Sequence, residues 1–121
     1  MTDELETQAK DELQYLIGDW YWDKKSYEFA RDMGVFILGF IDHLRNQKLS
    51  ESTRRRHESN CELIGKLVSD YGHHKKFKPD IFLCEPDHII EFKRKVSDTN
   101  YMVESYKSTW RKITKYISAK Q

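Results

Sequence analysis

Apolar residues recur three or four positions apart along most of the chain, and this spacing restricts the possible folds more than any other feature of the sequence. A first run consists of Leu5, Ala9, Leu13, Leu16 and Trp20. A second run consists of Tyr27, Ala30, Met33, Ile37, Ile41 and Leu44. This interval stacks side chains on one face of an α-helix, so both runs predict amphipathic helices. The sequence therefore predicts an all-α fold.

The ends of two helices can be predicted from their flanking residues. Asp23 is suited to cap the second helix, which should end within residues 46–48. A third helix should begin after Ser50 or Ser52, whose hydroxyls can accept a bond from the free amides of the first turn. It should end at Gly72, where we expect a left-handed cap.

Length and composition indicate one folded domain. The 121 residues suffice for a single hydrophobic core, and six Phe, seven Tyr and three Trp supply large apolar side chains. No apolar run is long enough to span a bilayer, and the start MTDELETQAKDELQ is acidic rather than a signal peptide. We therefore expect a cytoplasmic protein without membrane contact.

The two cysteines do not form a recognisable site. Cys61 and Cys84 fit a reducing compartment. Together with His73 and His74 they could be drawn as a zinc set, but the spacing lacks the close ligand pairs that structural zinc sites use. We expect no metal at these four residues.

Charge is distributed unevenly along the chain. Residues 1–41 carry four Lys or Arg against nine Asp or Glu, whereas residues 42–121 carry seventeen against eleven. A basic segment of this size suits contacts to phosphate, which supply most of the non-specific affinity for nucleic acid. A solvated charged surface is the alternative.

Three consecutive arginines, Arg54, Arg55 and Arg56, fall in the first turns of the predicted third helix. Cations at a helix N-terminus oppose the macrodipole unless an anion lies nearby. A DNA phosphate is one such anion. Pairing with Glu51 and Glu58 is the alternative.

The stretch KFKPDIFLCEPDHIIEFKRK, residues 76–95, is compatible with two structures. As a hairpin, Pro79-Asp80 and Glu91-Phe92-Lys93 resemble the PD-(D/E)xK nuclease motif. That resemblance implies a catalytic set of Asp80, Glu91 and Lys93 with Mg²⁺ as cofactor. As a helix, the stretch has Pro86 in its first turn and cations at its end, the polarity that the dipole favours. We prefer the helix, because the nuclease fold needs a larger sheet than one hairpin can supply.

A second resemblance extends from Phe36 to Ile117. A helix, LSEST, a long helix, a loop, HIIEFKRKV, the polar turn SDTN and the helix YMVESYKSTWRKITKYI follow one another. This order resembles the N-terminal, SAM-like core-binding domain of phage integrases and tyrosine recombinases. The resemblance implies a four-helix bundle that grips duplex DNA in DNA recombination without a cofactor. Residues 1–22 would be a helical extension to the core-binding-like part at 23–121.

The resemblance also implies which residues contact DNA. On the second helix of the family pattern these are Ser52, Thr53, Arg54, Arg55, Arg56 and His57. On its fourth helix they are Lys107 and Arg111, with auxiliary phosphate contacts from Lys93, Arg94 and Lys95. The recombinase catalytic motifs have no counterpart here, so we expect a non-enzymatic protein.

Two further predictions concern exposed or buried aromatic residues. Trp20, Tyr21 and Trp22 form an aromatic segment that could support self-association or a protein partner, although packing onto the domain is the preferred interpretation. Trp110 is expected in the core. A helical protein-interaction module is a third candidate function, after DNA binding and the nuclease.

Overall fold

The computed structural model describes residues 2–72 and 76–120, with side chains from residue 10 onward. Within these residues the fold is all-helical, as the spacing predicted, and it contains no β-strand. The elements are α1 (Thr2–Ile17), α2 (Lys24–Arg45), α3 (Glu51–Gly72), a 3₁₀ helix (Pro79–Leu83), α4 (Ile89–Lys95) and α5 (Asn100–Lys120). None of the described helices is long and apolar enough to cross a membrane.

The predicted caps of α2 and α3 are mostly confirmed. Asp23 Oδ1 accepts the backbone N–H of Ser26 at 2.8 Å, and the Asp23 N–H donates to Ser26 Oγ at 3.0 Å, which completes a capping box. Asn46 ends α2. Ser50, the first of the two candidates, caps α3 by accepting the N–H of Thr53 at 3.2 Å.

Two predicted helix ends differ from the structure. Gly72 is the last residue of α3, but no described glycine has a positive φ, so the left-handed cap is wrong. The backbone of α3 stays right-handed to its end. The fourth helix begins at Ile89 rather than at Pro86, and residues 85–88 form an irregular turn instead. Phe92 is the buried residue of this short helix, and Ile89 is partly buried against the core.

The hairpin interpretation of residues 76–95 is wrong. Residues Pro79–Leu83 form a 3₁₀ helix, and Ile89–Lys95 form α4. The two segments therefore share no strand ladder. Pro79 lies at the first position of the 3₁₀ helix, where its missing N–H costs nothing.

The long helices alternate in direction. Arg45 near the end of α2 pairs with Glu58 near the start of α3, so these two helices are antiparallel. His57 and Asn60 of α3 bond to Thr109 and Ser105 of α5 respectively, so those helices are also antiparallel. α1 packs on α2 and α3, and α5 packs on the other side of α3. The central pair α2 and α3 thus separates α1 from α5.

Aromatic side chains fill the space between α2, α5 and the 3₁₀ helix. Phe36 stacks on Phe82 with ring centroids 5.6 Å apart and also contacts Tyr116 at 5.9 Å. Trp110 is buried, as predicted, and packs edge-on against Phe82. Its Nε1–H donates to the Cys84 carbonyl oxygen at 2.7 Å, so the tryptophan fixes the 3₁₀ segment against α5.

The end of α1 is part of the core. Trp20 is 1% exposed, and a Cβ added to Gly65 would lie 2.0 Å from its ring. Only glycine allows this close approach between α3 and the indole. The assignment of Trp20 to a self-association surface is therefore wrong, and packing back on the domain is confirmed for this residue. Trp22 is 56% exposed, and Tyr21 packs edge-on against Tyr27.

Candidate nucleic-acid interface

The three arginines at the start of α3 point in different directions. Successive residues are about 100° apart around a helix, so Arg54, Arg55 and Arg56 cannot share one face. Arg54 Nε lies 3.7 Å from Glu58, on the side of α3 that faces α2. Glu58 also receives Arg45 from α2 at 3.1 Å. Arg54 is therefore one member of an ion-pair cluster that joins α3 to α2.

Arg55 and Arg56 differ in their carboxylate partners. Arg55 Nη2 lies 2.6 Å from Glu51 Oε1, and both side chains are largely exposed. Such exposed pairs contribute little free energy, so a phosphate can compete for the guanidinium. Arg56 has no carboxylate within 4 Å among the described residues. The alternative of pairing with Glu51 and Glu58 thus holds for two of the three arginines.

His57 does not reach the surface. Its side chain is 1% exposed, and Nδ1 lies 2.6 Å from Thr109 Oγ1. Burial lowers the pKa of His57 to about 4, helped by the positive charges of Lys112 and Arg56. The imidazole is therefore neutral at physiological pH and cannot contact a phosphate. His57 is removed from the predicted DNA-binding set.

His57 belongs to a polar network that joins α3 to α5. Asn60 Nδ2 donates to Thr109 Oγ1 at 2.9 Å and to Ser105 Oγ at 3.0 Å. All four side chains are buried. Because buried polar groups are costly without partners, this network selects one register between the two helices.

A shallow polar depression lies beside this seam. It has a volume of about 460 Å³, and its lining residues are Glu51, Ser52, Arg55, Arg56, Ser59 and Tyr101. We call it the α3–α5 depression. It brings together three of the predicted residues, Ser52, Arg55 and Arg56. Ser59 and Tyr101 were missed by the sequence analysis.

Tyr101 gives the depression an exposed aromatic wall. The side chain is 67% exposed at the start of α5. Tyr101, Ser105, Ser108 and Lys112 fall on one stripe of that helix, because they are spaced by three or four residues. This stripe faces α3, and the spacing could have identified Tyr101 and Lys112 from the sequence.

The predicted α5 cations lie away from this stripe. Lys107 Nζ is 3.9 Å from Glu104, and Arg111 is exposed about 100° around the helix from Lys112. Lys112 is the α5 cation that lies close enough to His57 to affect its pKa. Thr53 is half-buried and accepts a hydrogen bond from Ser50 Oγ at 2.8 Å.

The cations of α4 form a separate patch. Lys93, Arg94 and Lys95 are all exposed. Lys95 Nζ lies 5.1 Å from the ring centroid of Tyr71, at the far end of α3. Sixteen residues separate Tyr71 from Arg55, which is about 24 Å along a helix. This patch is thus distant from the α3–α5 depression.

The residues of the nuclease-like motif lie on two different helices. Asp80 lies on the 3₁₀ helix, whereas Glu91 and Lys93 lie on α4. No group of three or more possible metal ligands occurs within residues 2–72 and 76–120. Cys61 is buried and Cys84 is exposed, while His73 and His74 lie outside the described residues.

Comparisons with known proteins give no relative. No family model, no curated protein and no solved structure matches this chain.

Proposed function

We propose that this chain is a non-catalytic DNA-binding domain that contacts the phosphate backbone of a duplex through the α3–α5 depression. The observation that carries the proposal is the convergence of Arg55, Arg56, Ser52 and Tyr101 on one open surface. Two helices contribute to this surface, and a buried hydrogen-bond network between the same helices fixes their relative position. This is the type of DNA contact that the resemblance to integrase core-binding domains implies.

The lining residues have the chemistry for phosphate contacts. A guanidinium can donate two parallel hydrogen bonds to a phosphate, and a serine hydroxyl can donate one. Arg56 is available without breaking an ion pair, whereas Arg55 must exchange Glu51 for phosphate. Lys112 of α5 adds positive charge nearby, because both Lys112 and Arg56 lie close enough to His57 to lower its pKa. Contacts of this type position a protein on DNA without specifying a sequence.

A fluorescence anisotropy titration tests the proposal. A fluorescein-labelled duplex is titrated with the protein at several NaCl concentrations. With about three phosphate contacts, we expect a slope of log K against log[salt] near −3. The Arg56→Ala/Lys112→Ala variant should bind more weakly and lose about two units of slope.

Matched controls separate site binding from general charge. Lys25→Ala removes an exposed cation at the start of α2 and should leave both affinity and slope unchanged. The Lys93→Ala/Arg94→Ala variant tests the separate α4 patch. The proposal is wrong if the wild-type protein shows no salt-dependent binding, or if Lys25→Ala weakens it as much as the Arg56→Ala/Lys112→Ala variant does.

A further inference from the structure

A second surface feature is a groove bounded by α1, α2 and α3. It has a volume of about 360 Å³. Asp11, Glu12 and Tyr15 of α1 form one side, and Glu62 of α3 lies on the other. Leu38 and Ile41 of α2 lie between them. We call it the α1–α3 groove, and none of the DNA-binding residues named above lines it.

The bottom of the groove is apolar and has the length of a short helix. Leu16 and Ile41 are buried, Leu38 is partly buried, and Tyr15 projects from the edge with 84% of its side chain exposed. The α2 residues that line the groove extend from Leu38 to Arg45, about two helical turns or 10 Å. An apolar channel of this size is the kind of surface on which one face of an amphipathic helix packs.

The rim of the groove is acidic. Asp11, Glu12 and Glu62 have no cation within 4 Å in the part of the chain that the structure describes. Arg45 is the one cation of the lining, and it is already paired with Glu58. The rim therefore has three unneutralised carboxylates around an apolar floor.

We propose that the α1–α3 groove binds a cationic amphipathic helix of a protein partner. Apolar side chains of the partner, spaced at i, i+3, i+4 and i+7, pack on Leu38 and Ile41. Its flanking lysines or arginines meet Asp11, Glu12 and Glu62. Complementary charge increases the association rate and excludes acidic helices. This function is additional to DNA binding and does not depend on it.

The charge and packing of this chain argue against a second copy as the occupant. The helices with many cations, α3 and α5, have their apolar faces buried in the core. The basic α4 has only seven residues, and its Phe92 is fully buried. Within its seven residues α4 has one largely exposed apolar side chain, Ile90, and a single side chain is less than the apolar face of an amphipathic helix. The partner helix therefore comes from a different protein.

A synthetic helix provides the test. The probe is a fluorescein-labelled peptide of about fourteen residues, with leucines at i, i+3, i+4 and i+7 and lysines beside them. A matched peptide has glutamates in place of the lysines. We expect saturable anisotropy for the lysine peptide with the full-length chain, weakening as salt is raised, and no binding of the glutamate peptide.

Charge reversal locates the binding site. Glu12→Lys/Glu62→Lys changes two exposed acids and should weaken peptide binding about tenfold or more, because each reversal replaces an attraction by a repulsion. Glu28→Lys/Asp98→Lys makes the same change at two exposed acids outside the groove and should have a much smaller effect. Circular dichroism checks that both variants keep the helical content of the wild type.

Three results would overturn the proposal. The first is no binding of the lysine peptide to the wild-type protein. The second is an equal loss for the two charge-reversal variants, which would show general charge attraction. The third is a dimer in light scattering that Glu12→Lys/Glu62→Lys dissociates, because a second copy would then occupy the groove.

Discussion

The two surfaces on either side of α3 differ in the residues that surround them and in the sign of their charge. The α3–α5 depression is polar, open and contains two arginines, and a network of buried hydrogen bonds joins the two helices that form it. The α1–α3 groove is apolar at its floor and acidic at its rim. Arg54 and Arg56 are only two residues apart, yet they belong to opposite sides of this division. One helix can therefore separate two surfaces of different chemistry, because its residues project around its whole circumference.

The largest expected effect is a loss of stability on removing Trp20, which follows α1 and packs against α3. Trp20→Ala should lower the free energy of unfolding by about 3–5 kcal/mol, because the buried indole leaves a cavity between Gly34 and Gly65. At temperatures where the variant is folded, peptide binding to the α1–α3 groove should weaken more than DNA binding. Urea unfolding measures the loss of stability, and the peptide and DNA anisotropy titrations measure the two affinities. Trp22→Ala, at the more exposed tryptophan, is the control. If Trp20→Ala weakened peptide binding and DNA binding equally, the two surfaces would not be independent.

The next effect is a pH dependence of stability, which arises from His57 between α3 and α5. Burial lowers the pKa of His57 to about 4 in the folded protein, from an ordinary 6.5. Below pH 6.5 the unfolded chain therefore takes up a proton that the folded chain does not, and stability falls as pH decreases toward 4. The loss by about pH 4.5 should be about 2–3 kcal/mol. Urea unfolding of the wild type and His57→Gln at several pH values checks this, and an equal slope for both would contradict it.

A somewhat smaller effect is expected from the network itself. Thr109→Val keeps the shape of the side chain but removes the hydroxyl that His57 and Asn60 contact. The buried groups then lack a partner, so the free energy of unfolding should decrease by about 1–3 kcal/mol. Ser118→Ala, at an exposed position of α5, should change it little. Thermal unfolding of both variants measures the difference, and equal midpoints would show that the network contributes nothing.

The smallest effect concerns the ion pair inside the α3–α5 depression. Glu51→Gln releases Arg55 and removes a repulsive carboxylate, so DNA should bind about two- to fivefold more tightly. Glu58→Gln releases Arg45 and Arg54 on the other side of α3 and should increase DNA affinity less. The same anisotropy titration compares the two. A larger gain for Glu58→Gln would contradict the proposal, because the DNA contact would then lie on the side of α3 that faces α2.

Local signals predicted the helices and several of their ends. The last helix was predicted from its place after the polar turn SDTN, and this turn ends where Thr99 Oγ1 accepts the Met102 N–H. The boundaries of α4 were less accurate. Its position depends on Phe92 packing against Tyr106 with ring centroids 4.4 Å apart, a contact that no nearby residue signals.

Candidate site residues were predicted less well than helices. Arg55 and Arg56 are exposed, and Lys112 rather than Lys107 is the α5 cation that acts on His57 together with Arg56. His57 was selected from the resemblance to integrase core-binding domains, although its helical spacing with Cys61 and Ile64 places it on the buried face of α3. Charge alone did not show which cations have carboxylate partners, since Arg45 and Glu58 are thirteen residues apart.

The sequence by itself determined that this protein is helical, where α2, α3 and α5 begin, and that its second half is basic. The helices follow from the spacing of residues three or four positions apart, and the charge follows from composition. Both can therefore be predicted without knowledge of the fold. Only the tertiary structure decided that His57 meets Thr109 of α5, that the three arginines of α3 point to different surfaces, and that Trp20 belongs to the core. Those outcomes depend on distant contacts such as Trp20 against Gly65, whose fit is set by side-chain volume and helix direction rather than by local spacing.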